Sequence, residues 1–285
     1  MLIAGAWQSQ PTRRNVLFVR NQSIHSTYTS VVDRYLERIK VRRTDISPDL
    51  VTLNLLQKQH LLNVPFENLD IHWKRPILLS TAAFYGKIVG ERRGGFCYEL
   101  NGLFDELLRY VGFKTRLISA RVFHDDGTTG PEFDHAAIIV SLNEGEYLTD
   151  VGFGDFTAGP LQLMIDQEQF DETGTFSIRR NVDGDFEVLK RMGDDWKGEY
   201  AFRDIPRDLS EFSDMCDFQQ YSPNSHFTRG KICSVLTENG RKTLTDTKFI
   251  VNVSGDRTET AVASDSEFDE ILMREFQIGR LTQHL

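Results

Sequence analysis

One cysteine in this sequence lies where a thiol could act as a nucleophile. In Arg93-Gly94-Gly95-Phe96-Cys97-Tyr98-Glu99-Leu100-Asn101, two glycines permit a tight turn and close backbone approach just before Cys97. The apolar spacing Leu100, Leu103, Phe104, Leu107, Leu108, Val111 predicts a helix, with Gly112 at its C′ position. Cys97 then opens that helix, where unpaired N–H groups and the macrodipole favour a thiolate. An isolated cysteine at such a place is otherwise a small buried residue, so its chemistry depends on a base.

Of seven histidines, His135 has the best context, because it opens a strand and can project from a sheet rim toward a cleft. His25 and His284 lie near the chain ends, His124 is in a polar loop and His60 falls on a helix face where packing explains it. His72 and His226 are outside candidates. Asp150, followed by Val151-Gly152-Phe153-Gly154, is the candidate acid to orient the base. If Leu142 pairs with Tyr147, Asp150 faces Ile139 on the same sheet face as His135, but about 13 Å along the strand. Contact then requires a bulge, a shorter turn or strong coiling. A rim carboxylate closing a turn is the alternative for Asp150.

Residues 1–27 hold no sustained period and are expected to form a poorly ordered extension. Helices are predicted from about Thr29, with Val32, Tyr35, Leu36 and Ile39 on one face, and after Ser47-Pro48-Asp49, with Ser47 as N-cap and Pro48 at the first helical position. With the Cys97 helix these make a helical unit over residues 28–112. Strands are predicted over 113–123, 134–142 and 147–152, and a hairpin around Val182-Asp183-Gly184, giving an antiparallel β-barrel over 113–207. Two further hairpins, at Asn239-Gly240 and Gly255-Asp256, and a last helix capped by Ser264 make an α/β lid over 208–285. The fold class is therefore α+β.

The chain has 285 residues, 40% of them hydrophobic, and a net charge of -9. That acidity argues against a nucleic-acid binder. No apolar run approaches the ~20 residues that span a bilayer, and a cytoplasmic protein without a membrane partner is expected. Cys97, Cys216 and Cys233 show no CxxC or metal spacing, so no metal is expected, and Cys216 and Cys233 are expected to have no role.

The Arg93–Asn101 segment, Asp134-His135 and Asp150–Gly154, with Pro65-Phe66-Glu67-Asn68-Leu69-Asp70-Ile71 upstream and Ser222-Pro223-Asn224-Ser225-His226-Phe227-Thr228 downstream, resemble the arylamine N-acetyltransferases. Each motif alone is weak; together, in order from about Tyr35 onward, they are specific. The resemblance implies a Cys97–His135–Asp150 triad on a fold akin to transglutaminases and cysteine peptidases, built of helical bundle, barrel and lid. It implies acetyl-coenzyme A as donor and arylamines, arylhydrazines or N-hydroxyarylamines as acceptors, with an acetyl-cysteine between two half-reactions. It also implies that Glu67 pairs with Arg93, that Asn101 belongs to the same buried polar set, that Phe66 lines the acceptor pocket, and that Asn224, Ser225 and His226 approach coenzyme A. A cysteine hydrolase or transglutaminase would use the same triad without coenzyme A. A non-catalytic binding module would not need all three residues.

Overall fold

The structure, a computed structural model, describes residues 30–279; the expected extension over 1–27 lies outside the described residues. Helix α1 (Val31–Arg38) starts at a reciprocal cap in which Ser30 Oγ accepts from Asp33 N–H and Asp33 accepts from Ser30 N–H, each at 3.1 Å. Helix α2 (Leu50–Asn63) begins differently from the expectation. Asp49, not Ser47, is its N-cap, accepting from Thr52 N–H at 2.8 Å, and Pro48 precedes the cap. Ser47 instead donates its hydroxyl to the Asp49 carboxylate. His60 of α2 is fully buried between the rings of Tyr35 and Phe104, and burial holds its pKa down at about 3, so it packs as a neutral ring.

Between α2 and the Cys97 helix come β1 (Phe66–Glu67), α3 (Leu69–His72), α4 (Thr81–Tyr85) and a π-helical turn over Gly86–Gly90. Each is too short to show a period in sequence. Helix α5 (Cys97–Val111) follows, ended by Gly112 at φ 115°, a left-handed conformation that favours glycine.

Strands β2 (Lys114–Val122), β3 (His135–Leu142), β4 (Gly145–Thr149), β5 (Leu161–Gln162), β6 (Glu168–Asp171), β7 (Gly174–Arg180), β8 (Phe186–Met192) and β9 (Asp195–Phe202) form one antiparallel sheet. Its order is β5-β4-β3-β2-β9-β8-β7-β6. The two edges nearly close it into a barrel. Gln169 on β6 accepts from Gln162 N–H at 2.7 Å and donates to Gln162 O at 2.8 Å, side chain standing in for a ladder. On β3 the pleat sends Ala136, Ile138 and Val140 against α5, and Ala137 and Ile139 into the barrel interior. Both faces are covered, which explains the continuous apolar run.

The second sheet joins β10 (Ile232–Thr237), β11 (Gly240–Thr245), β12 (Lys248–Val253) and β13 (Asp256–Ala261), with β1 as its far edge through Phe66 opposite Ser234. A short helix α6 (Ser213–Tyr221) precedes it, and α7 (Asp265–Phe276), capped by Ser264, covers it with Phe268, Ile271, Leu272 and Phe276. Because β1 comes from the helical segment, the loop before Cys97 is tied directly to this sheet. Among the described residues no helix is long and apolar enough to cross a membrane, and no group of His, Cys, Asp and Glu could hold a metal ion.

Candidate active site

Cys97 is the first residue of α5 and is almost fully buried. Its approach loop is held by the β1 segment: Glu67 N–H donates to Gly95 O at 2.8 Å, and Gly95 N–H donates to Pro65 O at 3.3 Å. A Cβ on Gly94 would lie 1.9 Å from Pro65 O, so only glycine allows the two backbones to pass. On the other side a Cβ on Gly152 would lie 2.8 Å from Cys97 Cα, which puts the loop after Asp150 directly against the cysteine.

The β3–β4 turn is shorter than the pairing expected from sequence. Leu142 pairs with Gly145, leaving Asn143-Glu144 as a two-residue turn. The same pairing carried on sets Asp150 across from Ala137, two residues from His135 instead of four, about 7 Å along the strand. Loop geometry closes the rest: His135 Nε2 and Asp150 Oδ2 are 2.7 Å apart. The Asp150 carboxylate is fully engaged. Tyr200 OH donates to Oδ2 at 3.1 Å, while Asn101 Nδ2 and Gly152 N–H each donate to Oδ1 at 2.8 Å. Nε2 is thus the imidazole nitrogen tied to Asp150.

Burial opposes what the helix terminus contributes toward ionising Cys97. Burial pushes the thiol well up, and the Asp134 and Asp150 carboxylates add to this, against the Ala136 N–H. The His135 imidazole lines the same cavity as this thiol.

A buried ionic cluster braces the start of α5. Arg93 Nη2 donates to Glu67 Oε1 at 2.7 Å, the pair the resemblance implies, and Arg93 also binds Asp70. Sequence reasoning missed the other members. Lys87, turned inward by the π-helical turn, donates to both oxygens of Glu99 at 3.0 and 2.8 Å and lies 3.0 Å from Asp70. Glu99 Oε2 accepts from Phe96 N–H at 3.1 Å, so the cluster grips the residue before Cys97. A capping-box signal was weak at this point because Phe96 offers no side-chain acceptor. Asn101 does not join that set. It faces the other way, donating to Ala136 O at 2.6 Å and to Asp150, and accepting from Val151 N–H at 3.0 Å.

Three cations, Lys87, Arg93 and Arg75, thus meet four carboxylates, Glu67, Asp70, Glu99 and Glu91. One proton restores balance, and burial raises Glu99 to about 7, opposed by Lys87. The sign follows from linkage. A carboxyl whose folded pKa is raised contributes no penalty below its unfolded pKa, near ~4.3, and destabilises the fold as pH rises toward about 7. Relative to Glu99→Gln, the wild-type chain should lose about 4 kcal/mol of stability across that window. Denaturant unfolding of both proteins in matched buffers checks this; parallel stability curves would refute it.

Cys97, His135, Phe66, Phe153, His226 and Phe227 share a cavity of about 430 Å³. Phe66 is part of the wall of this cavity. Of the three loop residues, only His226 reaches the cavity, its ring 3.8 Å from that of Phe227. Ser225 is buried and structural, donating to Gln219 and accepting from Phe227 N–H. Asn224 is exposed and outside the cavity wall.

A thiol raised by burial, in a cavity it shares with an imidazole held by a carboxylate, suits enzymes that move acyl groups through sulfur. The family profile described as N-acetyltransferase matches residues 49–284. The arylamine N-acetyltransferase pineal gland isozyme NAT-3 of Gallus gallus is 30% identical over 282 residues, covering 87% of this chain and 93% of the relative. The solved arylamine N-acetyltransferase from Salmonella typhimurium superposes with a TM-score of 0.84 at 27% identity, covering 90% of this chain and 94% of that one. The Mycobacterium marinum arylamine N-acetyltransferase in complex with CoA superposes with a TM-score of 0.80 at 28% identity, covering 87% and 92%. This chain belongs to the arylamine N-acetyltransferase family, and it is an acyltransferase.

Proposed function

We propose that the protein moves an acetyl group from acetyl-coenzyme A to an aromatic amine, hydrazine or N-hydroxyarylamine by a ping-pong route through acetyl-Cys97. The observation that carries this reading is the 2.7 Å contact between His135 and Asp150 on the wall of the cavity that contains Cys97. His135 Nδ1 takes the thiol proton, and Asp150 stabilises the imidazolium. The thiolate adds to the acetyl carbonyl, whose oxyanion meets the N–H groups at the start of α5. Collapse breaks the carbon–sulfur bond to coenzyme A, and the imidazolium proton goes to the departing thiolate. In the second half-reaction the amine attacks acetyl-Cys97, His135 removes its proton, and the Cys97 thiolate leaves.

The donor assignment is supported by the M. marinum relative solved with CoA. The acceptor class is supported by the family and by Phe66, Phe153 and Phe227 on the cavity wall, which suit an aromatic ring. Intact mass spectrometry after mixing with acetyl-coenzyme A alone should show an acetyl increment on Cys97 that an arylamine discharges. No increment on folded protein would sink the reading. Discharge to water as fast as to amine would make the enzyme a hydrolase instead.

A further inference from the structure

The Cys97 cavity continues past Asp155 and Arg241 into a second cavity of about 580 Å³ between the barrel rim and the β10–β13 sheet. Arg241 of β11 stands at the junction, and Lys190 of β8 lines the outer space. These cations come from different sheets, and their side chains are only 11% and 13% exposed. Cations so far from water normally have close partners.

Here they share one oxygen. Asp155 Oδ1 lies 3.5 Å from Lys190 Nζ and 3.6 Å from Arg241 Nε, and Asp155 is itself 71% exposed. Arg241 also donates to Ser234 Oγ through a long 3.3 Å bond, which leaves most of the guanidinium's forked donor set unspent. Burial accordingly pulls Arg241 below the usual arginine range, and Asp155 offsets this only in part. Of the other charges on the outer wall, Glu172 pairs with Lys58 at 2.6 Å and Arg257 with Glu259 at 2.6 Å, while Glu238 lies in the field of Lys58. Glu199 of β9 also feels Lys190, but burial raises its carboxyl and so weakens it as a counter-charge.

We propose that Arg241 and Lys190 form an anion subsite at the junction of the two cavities and that it receives a phosphate group of the acyl donor. The proposal rests on Cys97 being the residue that takes the acyl group. An inner cavity of about 430 Å³ must hold the thioester and, in turn, an aromatic acceptor, so a nucleotide has to sit beyond it. The junction is the way out. A phosphate there takes two N–H groups of Arg241 and the Lys190 ammonium, and displaces the exposed Asp155 carboxylate.

Acetylation of Cys97 in single turnovers with two donors tests this. One donor is acetyl-coenzyme A; the other is S-acetyl-N-acetylcysteamine, which keeps the thioester and lacks every phosphate. Arg241→Gln and Lys190→Gln should each raise the half-saturating concentration of acetyl-coenzyme A about ten-fold and leave the phosphate-free donor within about two-fold. Asp155→Asn should lower that concentration for acetyl-coenzyme A only. Being on an exposed side chain, it decides the question even if Arg241→Gln fails to fold. Equal losses with both donors, or none with acetyl-coenzyme A, overturn the subsite. So does a loss confined to discharge onto para-aminobenzoate and absent with aniline, which would give the cations to an acceptor carboxylate. A wild-type chain acetylated by neither donor overturns the reading of Cys97, and this one with it.

Discussion

Cys97→Ala should abolish turnover of acetyl-coenzyme A with an arylamine, a fall of about 10⁵–10⁶-fold, and should end acetyl uptake by the protein. No other cysteine lines the cavity. Cys216 and Cys233 are buried, do not line the cavity, and have thiols raised by burial, Cys216 to about 12. The fold should survive, since the change deletes one small buried group at a cost of about 1 kcal/mol. A folded Cys97→Ala protein that keeps turnover, or still gains an acetyl group stable to amine-free buffer, would move the nucleophile elsewhere.

Asp150→Asn should slow acetylation of Cys97 by about 10³–10⁴-fold while leaving a folded protein. The argument is one of donors and acceptors. Oδ1 of Asp150 receives the Gly152 N–H and the Asn101 amide, and Asn101 cannot turn over because its own Oδ1 accepts from Val151 N–H while its Nδ2 also serves Ala136 O. An asparagine at this position must therefore keep its oxygen there and point its NH₂ at His135 and Tyr200. Tyr200 can rotate its hydroxyl to accept. His135 can accept at Nε2 only by moving its proton to Nδ1, the nitrogen needed as base. The enzyme would hold its shape and carry the wrong tautomer. Single-turnover mass spectrometry gives the rate, denaturant unfolding gives the stability, and a loss of less than about ten-fold would refute the role assigned to Asp150.

How much of this was legible in sequence follows from the range of each interaction. Cys97 at the start of α5 and Gly112 at its end are local facts, visible because helical period and capping act within a few residues. The α2 cap lies two residues beyond the expected one, because Ser47 and Asp49 are both good caps and only the backbone conformation selects between them. Lys87 and Glu99 gave no local sign, since their pairing spans a π-helical turn that no period announces.

By itself, then, the sequence determined which residues could act as thiol, base and acid, that His135 and Asp150 share a sheet face, and, through its motifs, the family. The contact between them was left to the tertiary structure. A side-chain period of two residues specifies the face but not the position along the strand, so slipping the β3–β4 pairing by two changes no polarity pattern and moves Asp150 about 7 Å. Packing settles such distances, as it settles the burial that raises the Glu99 carboxyl and the two cations that face each other across separate sheets at Asp155.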